Sequence, residues 1–216
     1  MTQYFDSEPT VTSSERSVDL VLPDVQTTLT TDRGVFSADH VDTGSKLLLL
    51  DGPAAITTDR VLVDVGCGYG PIAYTLAARN PDATVYAVDV NQRARDLCAR
   101  NTASLGNVVV AAPDDVPTDL VIDRMWSNPP IRVGKKVLHE LMDRWLGQLG
   151  PDGSAHIVVQ KHLGADSLHS WLERAGWNVE RRASKKAFRL LDISRVDISR
   201  VDISRVDISR VDPERT

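Results

Sequence analysis

The sequence lacks the features that mark secreted and membrane-embedded proteins. Its 216 residues include two cysteines, Cys67 and Cys98, which are too few for a disulfide framework. Apolar runs such as residues 47–50 are far shorter than the roughly 20 residues that a membrane-spanning helix needs. The first residues are polar and acidic, unlike a secretory signal. These absences predict a soluble, cytoplasmic protein with no membrane partner.

Metal-ligand spacing is also missing, and the net charge is small but unevenly distributed along the chain. The five histidines, His40, His139, His156, His162 and His169, follow no pattern of metal ligands, so no metal site is predicted. The net charge is −5, yet residues 124–191 hold twelve Arg and Lys against six Asp and Glu. A basic segment on an acidic chain is typical of a surface that binds a polyanion, the alternative being a solvated basic face.

From residue 60 onward, short apolar strands alternate with helical segments. Strands are predicted at residues 61–65, 84–88, 108–111, 119–126 and 154–160, and helices at residues 71–79, 91–103, 136–149 and 167–175. This alternation predicts an α/β fold with a parallel sheet and right-handed crossovers. Residues 177–182 and 187–191 are predicted to close the sheet as an antiparallel hairpin. The expected sheet is therefore mostly parallel and seven-stranded, with helices on both faces.

Three regions are predicted along the chain. Residues 1–59 contain two β-prone stretches and one short helix, and residues 60–191 form the α/β core. Residues 192–216 contain four copies of Asp-Ile-Ser-Arg-Val. A five-residue period presents no single apolar face to a core, so this tail is expected to be largely disordered. The alternative, a coil of a pentapeptide-repeat β-helix, would be a lone coil that cannot bury its own face.

A glycine-rich turn follows the first core strand. Its sequence, Asp64-Val-Gly66-Cys-Gly68-Tyr-Gly70, has glycines where the chain must turn sharply and approach a ligand closely. Asp89 ends the next strand, where an acid accepts hydrogen bonds from a ribose. The third glycine comes one residue too early for a dinucleotide fingerprint, which disfavours a nicotinamide oxidoreductase. Asp64 would repel a pyrophosphate but could accept a hydrogen bond from an ammonium group. The turn thus favours a ligand with an amino-acid end and a nucleoside end.

The sequence Asn128-Pro129-Pro130 follows the fourth core strand, at the sheet edge where such folds bind ligands. Two prolines hold the backbone stiffly and remove two N–H donors. What remains is a set of carbonyl oxygens beside the Asn128 amide, which can accept both hydrogens of a planar amine. Such contacts would orient the nitrogen and stabilise the positive charge that grows on it as it attacks an electrophile.

Together, these two motifs resemble those of class I S-adenosylmethionine-dependent methyltransferases that modify amino groups. Three longer stretches narrow the resemblance: Gly-Val-Phe-Ser at residues 34–37, Asp-Thr-Gly-Ser-Lys-Leu-Leu at 42–48 and Asn-Pro-Pro-Ile-Arg-Val-Gly-Lys at 128–135. They look like the small-subunit ribosomal RNA guanine-N2 methyltransferase family (RsmC-type) in a short, single-domain form. The resemblance covers residues 4–191 and implies a Rossmann-like class I methyltransferase fold.

The resemblance also implies roles for individual residues. The cofactor would be S-adenosyl-L-methionine, bound by Asp64, Gly66, Cys67, Gly68, Gly70, Asp89 and Asp114. The catalytic residues would be Asn128, Pro129 and Pro130, and the substrate would be bound by Phe36, Lys46, Ile131, Arg132 and Lys135. The segment from Asp42 to Lys46 would line the site from the N-terminal side. The partner would be ribosomal RNA or the small ribosomal subunit.

One residue of the Asn-Pro-Pro turn departs from the family pattern. Ile131 stands where many amine methyltransferases have an aromatic residue, so stacking on the base would come from Phe36 or Tyr69.

Phosphate contacts are expected from two basic clusters: Arg132, Lys135 and Lys136, and Arg181, Arg182, Lys185, Lys186 and Arg189. The alternatives are methylation of adenine N6 or of a protein glutamine, and a non-catalytic RNA-binding factor in ribosome assembly.

Overall fold

The computed structural model describes residues 11–196, which contain nine strands and five helices. The strands are β1 (Arg16–Val21), β2 (Gln26–Thr31), β3 (Val61–Val65), β4 (Thr84–Val88), β5 (Val108–Ala111), β6 (Ile122–Ser127), β7 (Leu149–Gln160), β8 (Trp177–Lys185) and β9 (Phe188–Arg195). The helices are α1 (Thr43–Asp51), α2 (Pro71–Arg79), α3 (Gln92–Thr102), α4 (Lys135–Gly147) and α5 (Ala165–Arg174). None of these helices is long and apolar enough to cross a membrane.

Seven strands form one twisted sheet in the order β5-β4-β3-β6-β7-β9-β8. The five strands from β5 to β7 are parallel, whereas β9 runs antiparallel to both β7 and β8. The predicted mostly parallel seven-stranded sheet with a closing hairpin is therefore confirmed. Strand order reverses between β3 and β6, and the crevice outside their carboxyl ends is where open α/β sheets bind ligands.

Both faces of the sheet are covered, which explains why the central strands are nearly uniformly apolar. Leu62 on β3 packs into a cluster with residues of α1, α2 and α3, while the adjacent Val63 packs into a second cluster under α4 and α5. Both side chains are completely buried. Each such aliphatic side chain contributes roughly 1.5–3 kcal/mol by leaving water.

The β1–β2 hairpin is attached to the core rather than standing apart. Leu20 and Leu29 belong to the same cluster as α2 and α3. The Asn101 side chain, on α3, accepts a hydrogen bond from the Thr30 N–H at 2.8 Å and donates one to the Thr30 carbonyl at 2.7 Å. Its amide also donates to the Tyr69 carbonyl at 2.8 Å. The hairpin thereby places the following residues, 32–42, over the carboxyl edge of the sheet.

The predicted end of the core at Leu191 is four residues too early. Strand β9 continues to Arg195 because it pairs on both sides, with β7 and with β8. Ile193 is completely buried, and Asp192 accepts a hydrogen bond at 2.9 Å from Nδ1 of the buried His156. The first copy of the five-residue repeat is thus part of the sheet. The remaining copies, residues 197–211, lie outside the described residues.

The predicted boundaries also differ by a few residues at the junction between α4 and β7. Helix α4 ends at Gly147 and β7 begins at Leu149, whereas the sequence predicts a longer helix and a strand starting at Ser154. A register shift between β6 and β7 lets the early part of β7 pair with Ile122. Gly153 permits this close approach, because a Cβ there would lie 2.7 Å from the Ile122 carbonyl oxygen.

Candidate active site

A cavity of about 320 Å³ opens at the carboxyl ends of β3, β4 and β6, where the fold predicts a ligand site. Its volume is at the lower end of the range for small-molecule sites. The lining residues are Val35, Phe36, Asp42, Val65, Gly66, Gly68, Val88, Asp89, Val90, Asn91, Ala94, Pro113, Asn128, Pro129, Pro130, Ile131, Arg132, Leu141, Trp145, Gln160 and Leu163. The glycine turn and the Asn-Pro-Pro turn, separated by about sixty residues in sequence, therefore face one space.

The glycine turn between β3 and α2 forms one wall of this cavity. Gly66 and Gly68 both have positive φ angles, and a Cβ on either would meet no atom within 4 Å. The backbone is therefore bare on the cavity side, which is what a close-fitting ligand requires. Gly70 serves a different purpose, because a Cβ there would lie 2.8 Å from Sγ of Cys98 on α3. Gly70 and the buried Cys67, which the sequence also predicts to bind the cofactor, lie outside the cavity lining.

Asp89 connects the glycine turn to the start of α3. Its Oδ2 accepts a hydrogen bond from the Gly68 N–H, and its Oδ1 accepts one from the Asn91 N–H, each at 2.9 Å. Burial raises the pKa of Asp89, against the opposing effect of these backbone donors. The Asn91 side chain caps α3 and donates to the Gly34 carbonyl at 2.9 Å. One carboxylate thus holds the turn, while Asn91 links the N-terminal segment to the same edge.

Asp64 lies outside the cavity, although the sequence predicts a direct ligand contact. Its side chain is completely buried, and its Oδ2 accepts a hydrogen bond at 2.9 Å from the Ala73 N–H in the first turns of α2. Its Oδ1 is a buried acceptor with no donor among the described residues. Burial, with a smaller contribution from the charge of Asp89, raises the pKa of Asp64 to about 8. This placement favours a role in holding α2 against β3.

Asn128 directly follows β6 and faces the cavity beside the N-terminus of α1. Its Nδ2 donates hydrogen bonds to Oδ2 of Asp42 at 2.8 Å and to Oγ of Ser45 at 3.1 Å. The orientation of the amide is unambiguous, because a carboxylate can only accept and must face the NH₂ group. The carbonyl oxygen of Asn128 accepts no hydrogen bond from a described residue. It is therefore available to a ligand in the cavity.

The carbonyl oxygens of the two prolines are partly engaged within their own turn. The Pro129 carbonyl accepts a hydrogen bond from the Ile131 N–H at 2.8 Å, and the Pro130 carbonyl accepts one from the Val133 N–H at 3.1 Å. Each carbonyl retains a second lone pair. The turn is thus held rigidly while the Pro129 oxygen can still accept one ligand hydrogen.

Three further predicted site residues do not reach the cavity. Asp114 is exposed and pairs with Arg144 at 2.8 Å, so the loop that carries it is tied to α4 instead. Its neighbour Pro113 lines the cavity in its place. Lys46 on α1 and Lys135 at the start of α4 also lie outside the cavity lining.

Several lining residues are not found by the sequence reasoning. They are Val35, Val65, Val88, Val90, Asn91, Ala94, Pro113, Leu141, Trp145, Gln160 and Leu163. Val90, Asn91 and Gln160 follow or end parallel strands, and that position at the carboxyl edge is a signal that could have found them. Trp145 is buried in the core under α4, yet one part of it forms a cavity wall.

Two aromatic residues were candidates for stacking on a base, and the structure separates them. Phe36 is 46% exposed and lines the cavity. Tyr69 is buried, lies outside the cavity lining and donates its hydroxyl to the His40 carbonyl at 3.3 Å. Burial raises the pKa of Tyr69, so this hydroxyl stays a neutral donor. Of these two candidates, Phe36 is therefore the ring that a planar ligand in the cavity can contact.

The two predicted basic clusters differ in how far their charges are neutralised. In the closing hairpin, Arg181 and Arg189 pair with Asp166, Arg182 pairs with Asp192, and Lys185 pairs with Asp51. Arg132 and Lys135, by contrast, have no carboxylate partner among residues 11–196, and Arg132 lines the cavity. The unneutralised positive charge beside the cavity therefore comes from the cluster after the Asn-Pro-Pro turn.

Comparison with known proteins identifies sequence relatives of most of the chain. A family model described as "Methyltransferase small domain" matches residues 26–192. The uncharacterized protein YbxB of Bacillus subtilis (strain 168) is 35% identical over 198 residues, which cover 89% of this chain and 98% of YbxB. The ribosomal RNA small subunit methyltransferase C of Aeromonas hydrophila is 35% identical over 146 residues, covering 65% of this chain and 42% of that protein. This chain thus spans about half the length of the methyltransferase C relatives it matches.

A solved structure shares the fold. The T. thermophilus 16S rRNA N2 methyltransferase RsmC, determined in complex with AdoMet and guanosine, superposes with a TM-score of 0.69 at 22% sequence identity. The match covers 87% of this chain and 52% of that chain. The likeness confirms the predicted Rossmann-like architecture with its closing antiparallel hairpin.

Proposed function

Because the chain belongs to the methyltransferase small-domain family, we propose that it transfers a methyl group from S-adenosylmethionine to the exocyclic N2 amine of a guanosine in ribosomal RNA. The observation that carries the proposal is the free carbonyl oxygen of Asn128, which faces the same cavity as the bare glycine turn. The ribosomal RNA methyltransferases among its relatives support the substrate class.

The cavity residues fit S-adenosylmethionine. Gly66 and Gly68 leave open space where a Cβ would otherwise stand, so the backbone can accommodate the methionine end. Asp89 lies at the end of β4, where an acid accepts hydrogen bonds from ribose hydroxyls, and its carboxylate oxygens retain free lone pairs. Apolar side chains of Val90, Ala94 and Pro113 would flank the adenine ring. When bound, the cofactor supplies an electrophilic methyl group on a positively charged sulfur.

Asn128 would orient the attacking amine. Its carbonyl oxygen and the remaining lone pair of the Pro129 carbonyl each accept one amine hydrogen, which directs the nitrogen lone pair toward the methyl group. Both acceptors carry partial negative charge and stabilise the positive charge that develops on the nitrogen. The proton can leave after transfer, so no strong base is required at the amine.

Phe36 and Arg132 would hold the RNA around the reacting amine. The exposed ring of Phe36 offers a face on which a flipped-out base can stack. It would take the role of the aromatic residue that many amine methyltransferases have at the position of Ile131. Arg132 and Lys135 would contact phosphates next to the target nucleotide, because their charges are not neutralised within the described part of the chain. RNA affinity would then come from the surface beside the cavity.

The proposal is tested with methyl-labelled S-adenosylmethionine and unmodified small-subunit RNA, both naked and assembled into subunits. Transfer RNA and a glutamine-bearing protein pool serve as competitors, and nucleoside digestion with mass spectrometry locates the label. Label in N2-methylguanosine is the expected result. Label in N6-methyladenosine or in protein would overturn the substrate, and cofactor binding without any label would favour a non-catalytic RNA-binding factor.

A further inference from the structure

Asp42 lines the cavity and is also the N-cap of helix α1. It caps α1, and its Oδ2 accepts hydrogen bonds from the Ser45 N–H at 3.0 Å and from Nδ2 of Asn128 at 2.8 Å. Its second oxygen, Oδ1, accepts no hydrogen bond from any residue in the range 11–196. The side chain is half-buried and lines the cavity. An acceptor is therefore left beside the group that would bind the target amine.

We propose that Asp42 selects guanine: its free oxygen Oδ1 accepts the N1–H of the base whose N2 amine is held by Asn128. The inference rests on the proposed function and goes beyond it, because it assigns the choice of base to one residue. Asp42 and Asn128 are hydrogen-bonded to each other, so their free oxygens lie on adjacent groups. Guanine likewise presents its N1–H and N2–H donors side by side.

The other candidate amines do not match this pair of acceptors. The adenine N6 amine has acceptors on both sides, N1 and N7, and the cytosine N4 amine lies beside the acceptor N3. A glutamine side chain places its own carbonyl oxygen next to the amine. Each of these would bring a lone pair toward the Asp42 carboxylate and leave a desolvated acceptor without a donor, which is unfavourable. Of the four, guanine places a donor at that position.

The surroundings of Asp42 hold its carboxylate in place. The carboxylate lies at the N-terminus of the nine-residue helix α1, where the helix dipole stabilises negative charge. Gly44 is required there, because a Cβ would lie 2.9 Å from Oδ2 of Asp42 and 3.0 Å from the ring of Phe188. The position is thus organised before substrate binds, as a specificity determinant should be.

The test exchanges the acceptor for a donor on the protein, and the donor for an acceptor on the base. Asp42→Asn keeps a good helix cap, and its carbonyl oxygen can still accept from Ser45 and Asn128. Its NH₂ group then faces the base. The substrate pair is a synthetic RNA that spans the guanosine mapped by mass spectrometry, and the same RNA with 2-aminopurine at that position. 2-Aminopurine keeps the amine at C2 but has an acceptor at N1.

We expect wild-type protein to methylate the guanosine RNA about 10–100-fold faster, in kcat/KM, than the 2-aminopurine RNA. Asp42→Asn should lose about the same factor on guanosine while keeping or gaining activity on 2-aminopurine, so that the preference disappears or inverts. Asp51→Asn is the matched control: it makes the same change at the other end of α1, where Asp51 pairs with Lys185 at 2.8 Å. Its base preference should equal that of wild type.

The possible outcomes separate this inference from the proposed function. Equal losses on both RNAs in Asp42→Asn would mean a purely structural role for Asp42 and overturn the inference. Wild-type protein that methylates both RNAs equally well would also overturn it, whether or not the variant folds. Wild-type protein that binds cofactor but methylates no guanosine RNA would overturn the proposed function itself.

Discussion

The Nδ2 atom of Asn128 donates a hydrogen bond of 2.8 Å to Oδ2 of Asp42, a residue 86 positions earlier in the chain. This bond turns the Asn128 carbonyl away from α1 and leaves it free for a substrate amine. It also makes the N-terminal segment a structural part of the site.

Asn128→Ala should lower turnover by a factor of about 10²–10³ while leaving the affinity for S-adenosylmethionine unchanged. The variant removes an acceptor that acts on the charge developing in the transition state, and losses of that size follow the removal of one such group. Single-turnover methylation and cofactor titration measure the two quantities. Asn178→Ala, in the exposed part of β8, is the control and should change neither. Equal turnover in Asn128→Ala would contradict the proposed role.

The buried carboxyl of Asp64 should make the stability of the protein without cofactor decrease with increasing pH. Its folded-state pKa of about 8 lies above its ordinary value of 3.8, so the native state binds more protons than the unfolded state between these values. The stabilisation is fully present below pH 3.8 and is lost as pH rises through about 8. The free energy of unfolding should fall by at most about 1.4 kcal/mol per pH unit from this group.

Asp64→Asn isolates this contribution, because an amide mimics the neutral carboxyl and does not titrate. Urea unfolding of wild type and variant between pH 5 and pH 9 gives the difference in unfolding free energy at each pH. That difference should shift in favour of the variant as pH increases, and then level off above the folded-state pKa of about 8. A difference that is independent of pH would show that Asp64 is ionised in the native protein throughout.

Phe36→Ala should weaken RNA binding with little effect on cofactor affinity. Base–aromatic stacking contributes about 1–3 kcal/mol per base, which corresponds to about a 5- to 150-fold increase in the dissociation constant for RNA. Equilibrium binding with a labelled RNA fragment measures this change. Val21→Ala removes another exposed apolar side chain, on β1 and outside the cavity lining, and should leave RNA binding at the wild-type level. An unaffected dissociation constant in Phe36→Ala would argue that the base stacks elsewhere.

The salt dependence of RNA binding should distinguish the two basic clusters. Replacing Arg132 and Lys135 together by Ala should reduce the slope of log K against log salt by about 0.7–0.9 for each phosphate contact that is lost. The matched pair, Arg181 and Lys185 replaced by Ala, should change the slope less, because both side chains are engaged by Asp166 and Asp51. Filter binding across a series of salt concentrations measures both slopes. The reverse order would place the RNA on the closing hairpin.

Local patterns predict most of the strands and helices well. The bounds of β3, β4, β5 and α2, and the capping of α3 by Asn91, follow from apolar runs, glycines and capping residues that act over a few positions. The first copy of the repeat is missed because its five-residue period hides an ordinary strand pattern. Ile193 is buried only because β9 has partners on both sides, and no local rule specifies those partners.

In the candidate site too, local sequence determines some features and tertiary contacts determine the others. Glycine and proline set the local backbone conformation whatever the tertiary context. The glycine turn, Asn128 and the family of the chain can therefore be recognised from residue order alone. Which side chains face the cavity depends on contacts between distant segments. Folding buries Asp64, joins Asp42 to Asn128, and pairs four of the five hairpin cations with carboxylates up to 134 residues away. Distances and burial of this kind arise only when the chain closes on itself, because they belong to pairs of elements and not to any single stretch of sequence.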